Sequence, residues 1–129
     1  MSINVLVLGT KGSGKSSLCK YRFETSYVEN DCTIYTVYHN SYHIHLYDID
    51  DELPVVSFDC ILLLWNRVNG TLSLSNLPER LRSTTPILFV GTKSDILDSS
   101  DYLSVSAKSG HNMNNLFDRV LALSKMFEE

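Results

Sequence analysis

Residues 9–16 read Gly9-Thr10-Lys11-Gly12-Ser13-Gly14-Lys15-Ser16, and this octapeptide constrains the chain more than any other stretch. It follows an apolar, strand-like run at 3–8 (INVLVL) and opens into a helical pattern starting near Lys15. The spacing G-x-x-x-x-G-K-S between a strand and a helix is that of a phosphate-binding P-loop. The glycines let successive backbone N–H groups turn inward toward a polyphosphate, and the unpaired N–H groups of the helix start add to that field. Lys15 is expected to reach the β- and γ-phosphates, and the Ser16 hydroxyl to ligate Mg²⁺. The alternative is a glycine-rich strand-to-helix turn that holds no ligand.

What surrounds this loop must then be a domain of modest size. A chain of 129 residues supports one core and not two, so residues 1–129 are read as a single domain. A net charge of -4 with no basic run argues against a nucleic-acid partner. The longest apolar run, at 60–65, is far too short to span a bilayer. No signal peptide, prenylatable C-terminal cysteine or myristoylatable glycine is read at either end, so no intrinsic membrane anchor and a cytoplasmic location are expected. Cys19, Cys32 and Cys60 are odd in number and widely spaced, which suits buried thiols in a reducing compartment.

Along the chain, the helix begun at Lys15 is expected to run to about Glu24, burying Leu18, Cys19 and either Tyr21 or the stem of Arg22. Residues 26–32 read as polar and irregular. Segments 33–39 and 42–47 are β-rich and separated by Asn40-Ser41, a hairpin turn. An acidic cluster at 48–52 (DIDDE) precedes Pro54, and 58–65 (FDCILLLW) is the strongest buried-strand signal. A weak helix at 71–82 is interrupted by Pro78; 86–90 (PILFV) and 102–105 are further strands. Residues 112–127 form an amphipathic helix with Met113, Leu116, Phe117, Val120, Leu121 and Leu123 on its apolar stripe. Strands alternating with helices behind a leading P-loop imply an α/β fold, a mostly parallel six-stranded sheet covered on both faces. Ligands of such sheets sit at the carboxyl ends of the strands. There the sequence places the P-loop, Asp48, the run Gly91-Thr92-Lys93-Ser94-Asp95 and the run Ser106-Ala107-Lys108.

On GTKGSGKS, TKSD, SAK and the ending SAKSGHNMNNLFDRV, the chain resembles the Ras-superfamily small GTPases, nearest in texture to the Rab- and Rho-like branches. The resemblance implies a P-loop NTPase G domain with guanine nucleotide (GTP or GDP) and Mg²⁺ as ligands. Lys11, Gly12, Ser13, Gly14, Lys15, Ser16 and Ser17 would hold the phosphates. Asp95 would take the two donors of the guanine edge, a task suited to the paired acceptors of a carboxylate. Lys93 would lie along the base beside Thr92, and Ser106, Ala107 and Lys108 would bring the Ala107 N–H to the guanine carbonyl. Thr33 and Asp48 would join Ser16 around Mg²⁺, and Tyr27 would pack against the base. Plain alternatives are a strand-forming threonine, a solvated acidic turn and an ordinary loop aromatic.

The departures bear on activity. The family pattern Asp-x-x-Gly becomes Asp48-Ile49-Asp50-Asp51, which puts a carboxylate where a backbone N–H would meet the γ-phosphate. The next position, usually the glutamine that orients water, is Glu52. Lys11 stands near the γ-phosphate position, where it either offsets Asp51 or blocks a helper arginine. The chain is also short, with little room for a second-switch helix after Asp48 or for a helix between Asp95 and Ser106. The expectation is a trimmed G domain with slow or partner-dependent hydrolysis, Lys15 stabilising charge and Glu52 handling water. It would serve as a molecular switch or adaptor read by protein effectors or regulators. Two other readings stay open: a pseudo-GTPase scaffold with structural nucleotide or none, and an ATP-dependent P-loop phosphotransferase. The latter lacks an arginine-bearing lid segment.

Overall fold

A computed structural model describes residues 2–9, 15–29, 32–49, 57–65, 85–92, 102–105, 110 and 112–125. The elements are β1 (Ser2–Gly9), α1 (Lys15–Lys20), β2 (Thr25–Glu29), β3 (Cys32–His39), β4 (Tyr42–Asp48), β5 (Cys60–Trp65), β6 (Ile87–Thr92), β7 (Tyr102–Val105) and α2 (Met113–Lys125). They build a seven-stranded sheet in the order β2-β3-β4-β1-β5-β6-β7. β4, β1, β5, β6 and β7 run parallel, while β3 is antiparallel to both β2 and β4. The continuous apolar runs became the central strands because both of their faces are covered: Val5, Leu6, Val7, Ile61, Leu62 and Leu64 are fully buried.

Period-two alternation divides these side chains between two cores. One holds Val5, Val7, Ile44, Leu46, Leu62, Leu88 and Val90 together with Leu18 of α1 and Met113, Leu116, Phe117, Val120 and Leu121 of α2. The stripe expected from the helical spacing is therefore the buried face of α2, with Leu123 packed at its margin. The other core holds Leu6, Ile34, Tyr47 and Ile61, with Ile49 and Phe58 packed against them. Both described helices lie on the first face. The helix expected at 71–82 falls outside the described residues.

Three expectations are corrected. The sheet has seven strands and not six, because residues 26–29 of the stretch expected to be irregular join Thr25 in edge strand β2, paired along its length with β3. Thr25, Tyr27 and Val28 favour extended backbone, yet all five residues of β2 are exposed, so no buried alternation marks them. The first helix stops at Lys20 and not near Glu24. Tyr21 closes it with an N–H bond to the Leu18 carbonyl, and Glu24 has already joined the sheet through its N–H to the Thr36 carbonyl. Between them Arg22 donates to Asn114 Oδ1 at 2.7 Å and lies 2.7 Å from His39 Nδ1, its guanidinium over the Phe117 ring. Tyr21 is consequently exposed, and it is Arg22 that packs on α2.

The β3–β4 turn forms where expected. Asn40 and Ser41 both have positive φ, 49° and 71°, as a two-residue hairpin loop of matching twist requires. Serine is a poor occupant of that left-handed conformation. Ser41→Gly should therefore stabilise the protein by about 0.5–1 kcal/mol, read as a higher denaturant midpoint with an unchanged slope. A lower midpoint would contradict the turn.

Candidate phosphate-binding site

The strand order itself locates a site. After β1 the chain builds β2, β3 and β4 on one side, then crosses β1 to build β5, β6 and β7 on the other. The topological switch point is thus the carboxyl end of β1, the position at which open α/β sheets bind ligands. Registers align the neighbouring strand ends along this rim. Val7 lies beside Asp48, Gly9 beside Leu64, Trp65 beside Gly91 and Thr92 beside Val105. β3 begins at the same rim, with Thr33 opposite Asp48.

At this rim α1 brings its first two residues against the end of β4. Lys15 is buried, and its Nζ donates to the Ile49 carbonyl at 2.7 Å and sits 3.3 Å from Asp48 Oδ1. Ser16 Oγ donates to Asp48 Oδ2 at 2.9 Å. One carboxylate thus holds the ammonium with one oxygen and the hydroxyl with the other. The Asp48 side chain is only 9 % exposed. Its charge reaches inward: burial first and Asp48 second push the Cys19 thiol and the Tyr35 phenol above their ordinary values.

Ser16 Oγ, the Asp48 carboxylate and Thr33, which shares Asp48's side of the sheet through their cross-strand pairing, are all hard oxygen donors. No group of three or more His, Cys, Asp or Glu residues able to hold a metal occurs among the described residues. One carboxylate with hydroxyls suits Mg²⁺, which keeps waters and takes its remaining ligands from phosphates. Ser17 is exposed on α1, and Thr92 ends β6. Tyr27 is not brought to this site. It lies on β2, five strands from β6, with its ring on the face of Ile34 and half exposed. At about 4.8 Å per strand that is more than 20 Å from the end of β6. Lys11, Gly12, Ser13, Gly14, Glu52, Lys93, Asp95, Ser106, Ala107 and Lys108 lie outside the described residues. The Ile49 carbonyl, which binds Lys15, was not foreseen, since a backbone acceptor carries no sequence signal.

No protein-family model and no curated protein matches the sequence. The solved structures do offer matches. The G domain of the T. maritima FeoB iron transporter aligns over 96% of this chain and 99% of its own, with a TM-score of 0.77 at 18% identity. The fold is that of a G domain. The cytosolic domain of the same transporter in its GMPPNP form aligns over 97% of this chain and 65% of its own, with a TM-score of 0.74 at 19% identity. Translation elongation factor SelB from Methanococcus maripaludis, in complex with the GTP analogue GPPNHP, aligns over 95% of this chain and 34% of its own, with a TM-score of 0.67 at 19% identity. The chain thus spans about two thirds of that cytosolic domain and about a third of SelB. In this sheet Lys15 and Ser16 stand at the switch point, beside the end of β1. Among the described residues no helix is long and apolar enough to cross a membrane.

Two of the buried thiols, Cys19 and Cys60, sit in the core that α1 and α2 cover, and burial raises both above their ordinary values. Burial, reinforced by nearby Asp59 and opposed by a hydrogen bond from the Ile61 backbone, pushes Cys60 from 9.0 up to about 12. The unfolded chain loses this proton near pH 9 while the folded chain keeps it, so the contribution to stability is complete below pH 9 and is lost as pH rises toward 12. Thermal melts of the wild type should fall more steeply above pH 9 than those of Cys60→Ala; parallel slopes would refute the burial argument.

Proposed function

We propose that this chain binds guanine nucleotide, GDP and GTP, together with Mg²⁺, and works as a small-GTPase-like switch or adaptor with slow or partner-dependent hydrolysis. The observation that carries the reading is the Lys15–Ser16–Asp48 cluster at the switch point of a G-domain sheet. Lys15 would serve the phosphates, and Ser16, Thr33 and Asp48 would serve Mg²⁺ directly or through water. Guanine selectivity rests on TKSD, which begins with the last residue of β6, and on SAK, which follows directly on β7 in sequence. The nucleotide-bound forms of the FeoB domain and of SelB support the ligand class. The finer placement in a Ras-like branch rests on the motifs alone, and so do the protein effectors or regulators.

Glu52 and Asp51, in place of the glutamine and glycine of the family pattern, favour a switch that turns over slowly. Calorimetry in Mg²⁺ with GDP, GTP and ATP is the test. The reading expects micromolar or tighter binding of both guanine nucleotides and none of ATP. Tight ATP binding with GTP ignored would replace it with the phosphotransferase reading, and no binding of any nucleotide would replace it with the scaffold.

A further inference from the structure

One edge of the sheet is left open by its sequence as well as by its place. β2 ends the strand order, and among the described residues its backbone pairs on one side only, with β3. The outer row of N–H and C=O groups is a template for another strand, and edges that stay unpaired are commonly guarded by lysine, proline or a bulge. β2 has none of these. It reads Thr25-Ser26-Tyr27-Val28-Glu29, and its register with β3 runs unbroken from Thr25 opposite Thr36 to Glu29 opposite Cys32. All five residues are exposed, Val28 at 70% and Tyr27 at 47%, and the single charge stands at the end of the strand.

The order of these residues says which strand fits. Laid antiparallel on a second copy about a two-fold axis at Tyr27, every residue of β2 finds a partner. Tyr27 meets Tyr27, Ser26 meets Val28, and Thr25 meets Glu29. Opposed side chains of an antiparallel pair share one face of the sheet, about 4.5–5.5 Å apart. The aromatic pair on the axis is favourable, and Glu29 meets a hydroxyl and not its own copy. Moving the axis to Ser26 or Val28 pairs only three of the five residues within the strand, and at Val28 it sets Tyr27 against Glu29. We propose that β2 is a homodimerisation edge, at which two copies of this chain pair antiparallel about Tyr27 and join their seven-stranded sheets into one. The contact needs no nucleotide and stands apart from the functional reading above. A five-residue strand spans about 17 Å. Pairing of that length belongs with interfaces below about 1,200 Å², so the dimer is a weak one.

Sedimentation equilibrium of the ligand-free protein should give an average mass that climbs from one chain toward two between about 10 and 500 µM, the span that reveals a dissociation constant on the order of 100 µM. Tyr27→Lys removes the aromatic pair and opposes like charges on the axis, and should raise that constant roughly tenfold. Two double variants read the register. Ser26→Lys with Val28→Lys opposes like charges at both flanking pairs and should leave a monomer throughout the range. Ser26→Glu with Val28→Lys opposes unlike charges at the same pairs and should dimerise at least as tightly as the wild type. Thermal melts at low concentration establish that each variant is folded. Amide hydrogen exchange of the wild type needs no variant: with rising concentration it should slow within 25–29 and not in β7. A wild type that stays monomeric, double variants that behave alike, or exchange that slows elsewhere would each overturn the proposal. A monomer would leave this edge to a foreign strand.

Discussion

Phe117→Ala should cost about 3–5 kcal/mol, the range for deleting a fully buried phenylalanine and leaving a cavity. Against a typical total of about 5–15 kcal/mol, that is a large part of the protein's stability. Phe117 has no exposed surface and sits in the core that joins α2 to the sheet. Its ring also carries contacts beyond its own helix. The Arg22 guanidinium carbon lies 5.1 Å from the ring centroid, and the His39 ring is 5.6 Å away. His39 in turn contacts Asp118 Oδ1 at 2.7 Å, and Asn40 donates to the same oxygen at 3.2 Å. One aromatic ring therefore supports the exit of α1, the β3–β4 hairpin and α2 together. The melting temperature should fall by roughly 10–20 °C for a domain of this size. Phe117→Leu, which keeps most of the volume, should cost less than about 1.5 kcal/mol. A loss below about 1 kcal/mol for the alanine variant would mean that α2 is not docked as described.

The same cluster explains what the sequence conveyed and what it withheld. β1, β5 and β6 are legible because a strand covered on both faces needs an unbroken apolar run, and α2 is legible because one buried stripe imposes helical spacing. Asn40-Ser41 is legible as a turn because few residue pairs suit that backbone. β2 is not: at the sheet edge it buries neither face, so nothing in its side chains alternates. The end of α1 at Lys20 is not legible either. Arg22 is drawn off the helix axis by partners 17 and 92 residues away, which no local pattern encodes. In the candidate site, Lys15, Ser16 and Asp48 are legible because their spacing and their place after strands have a chemical meaning. The setting of Tyr27 is not legible, because counting positions against a motif treats its segment as a loop. The pairing of β2 with β3 puts it on a strand instead.

Asp51→Gly combined with Glu52→Gln should raise GTP turnover by on the order of 100-fold, the lower end of the scale on which one well-placed donor acts at a charged transition state. Both substitutions lie in the DIDDE run that follows β4, outside the described residues, and the argument is one of charge and donor chemistry. The γ-phosphoryl group spreads negative charge over its oxygens as it transfers, and catalysis consists almost wholly of positioning and electrostatic stabilisation. A carboxylate at Asp51 opposes that charge, whereas glycine offers its backbone N–H without obstruction. An ionised Glu52 can only accept hydrogen bonds, whereas glutamine accepts one from the attacking water and donates another to the transferring group. Single-turnover hydrolysis, with GDP and GTP affinities measured in parallel, separates the two effects. Removing Asp51 should improve GTP affinity relative to GDP, because only GTP carries the third phosphate. An unchanged rate in a double variant that still binds GTP would show that these two positions do not face the γ-phosphate. The slow turnover proposed for the natural chain would then need another cause.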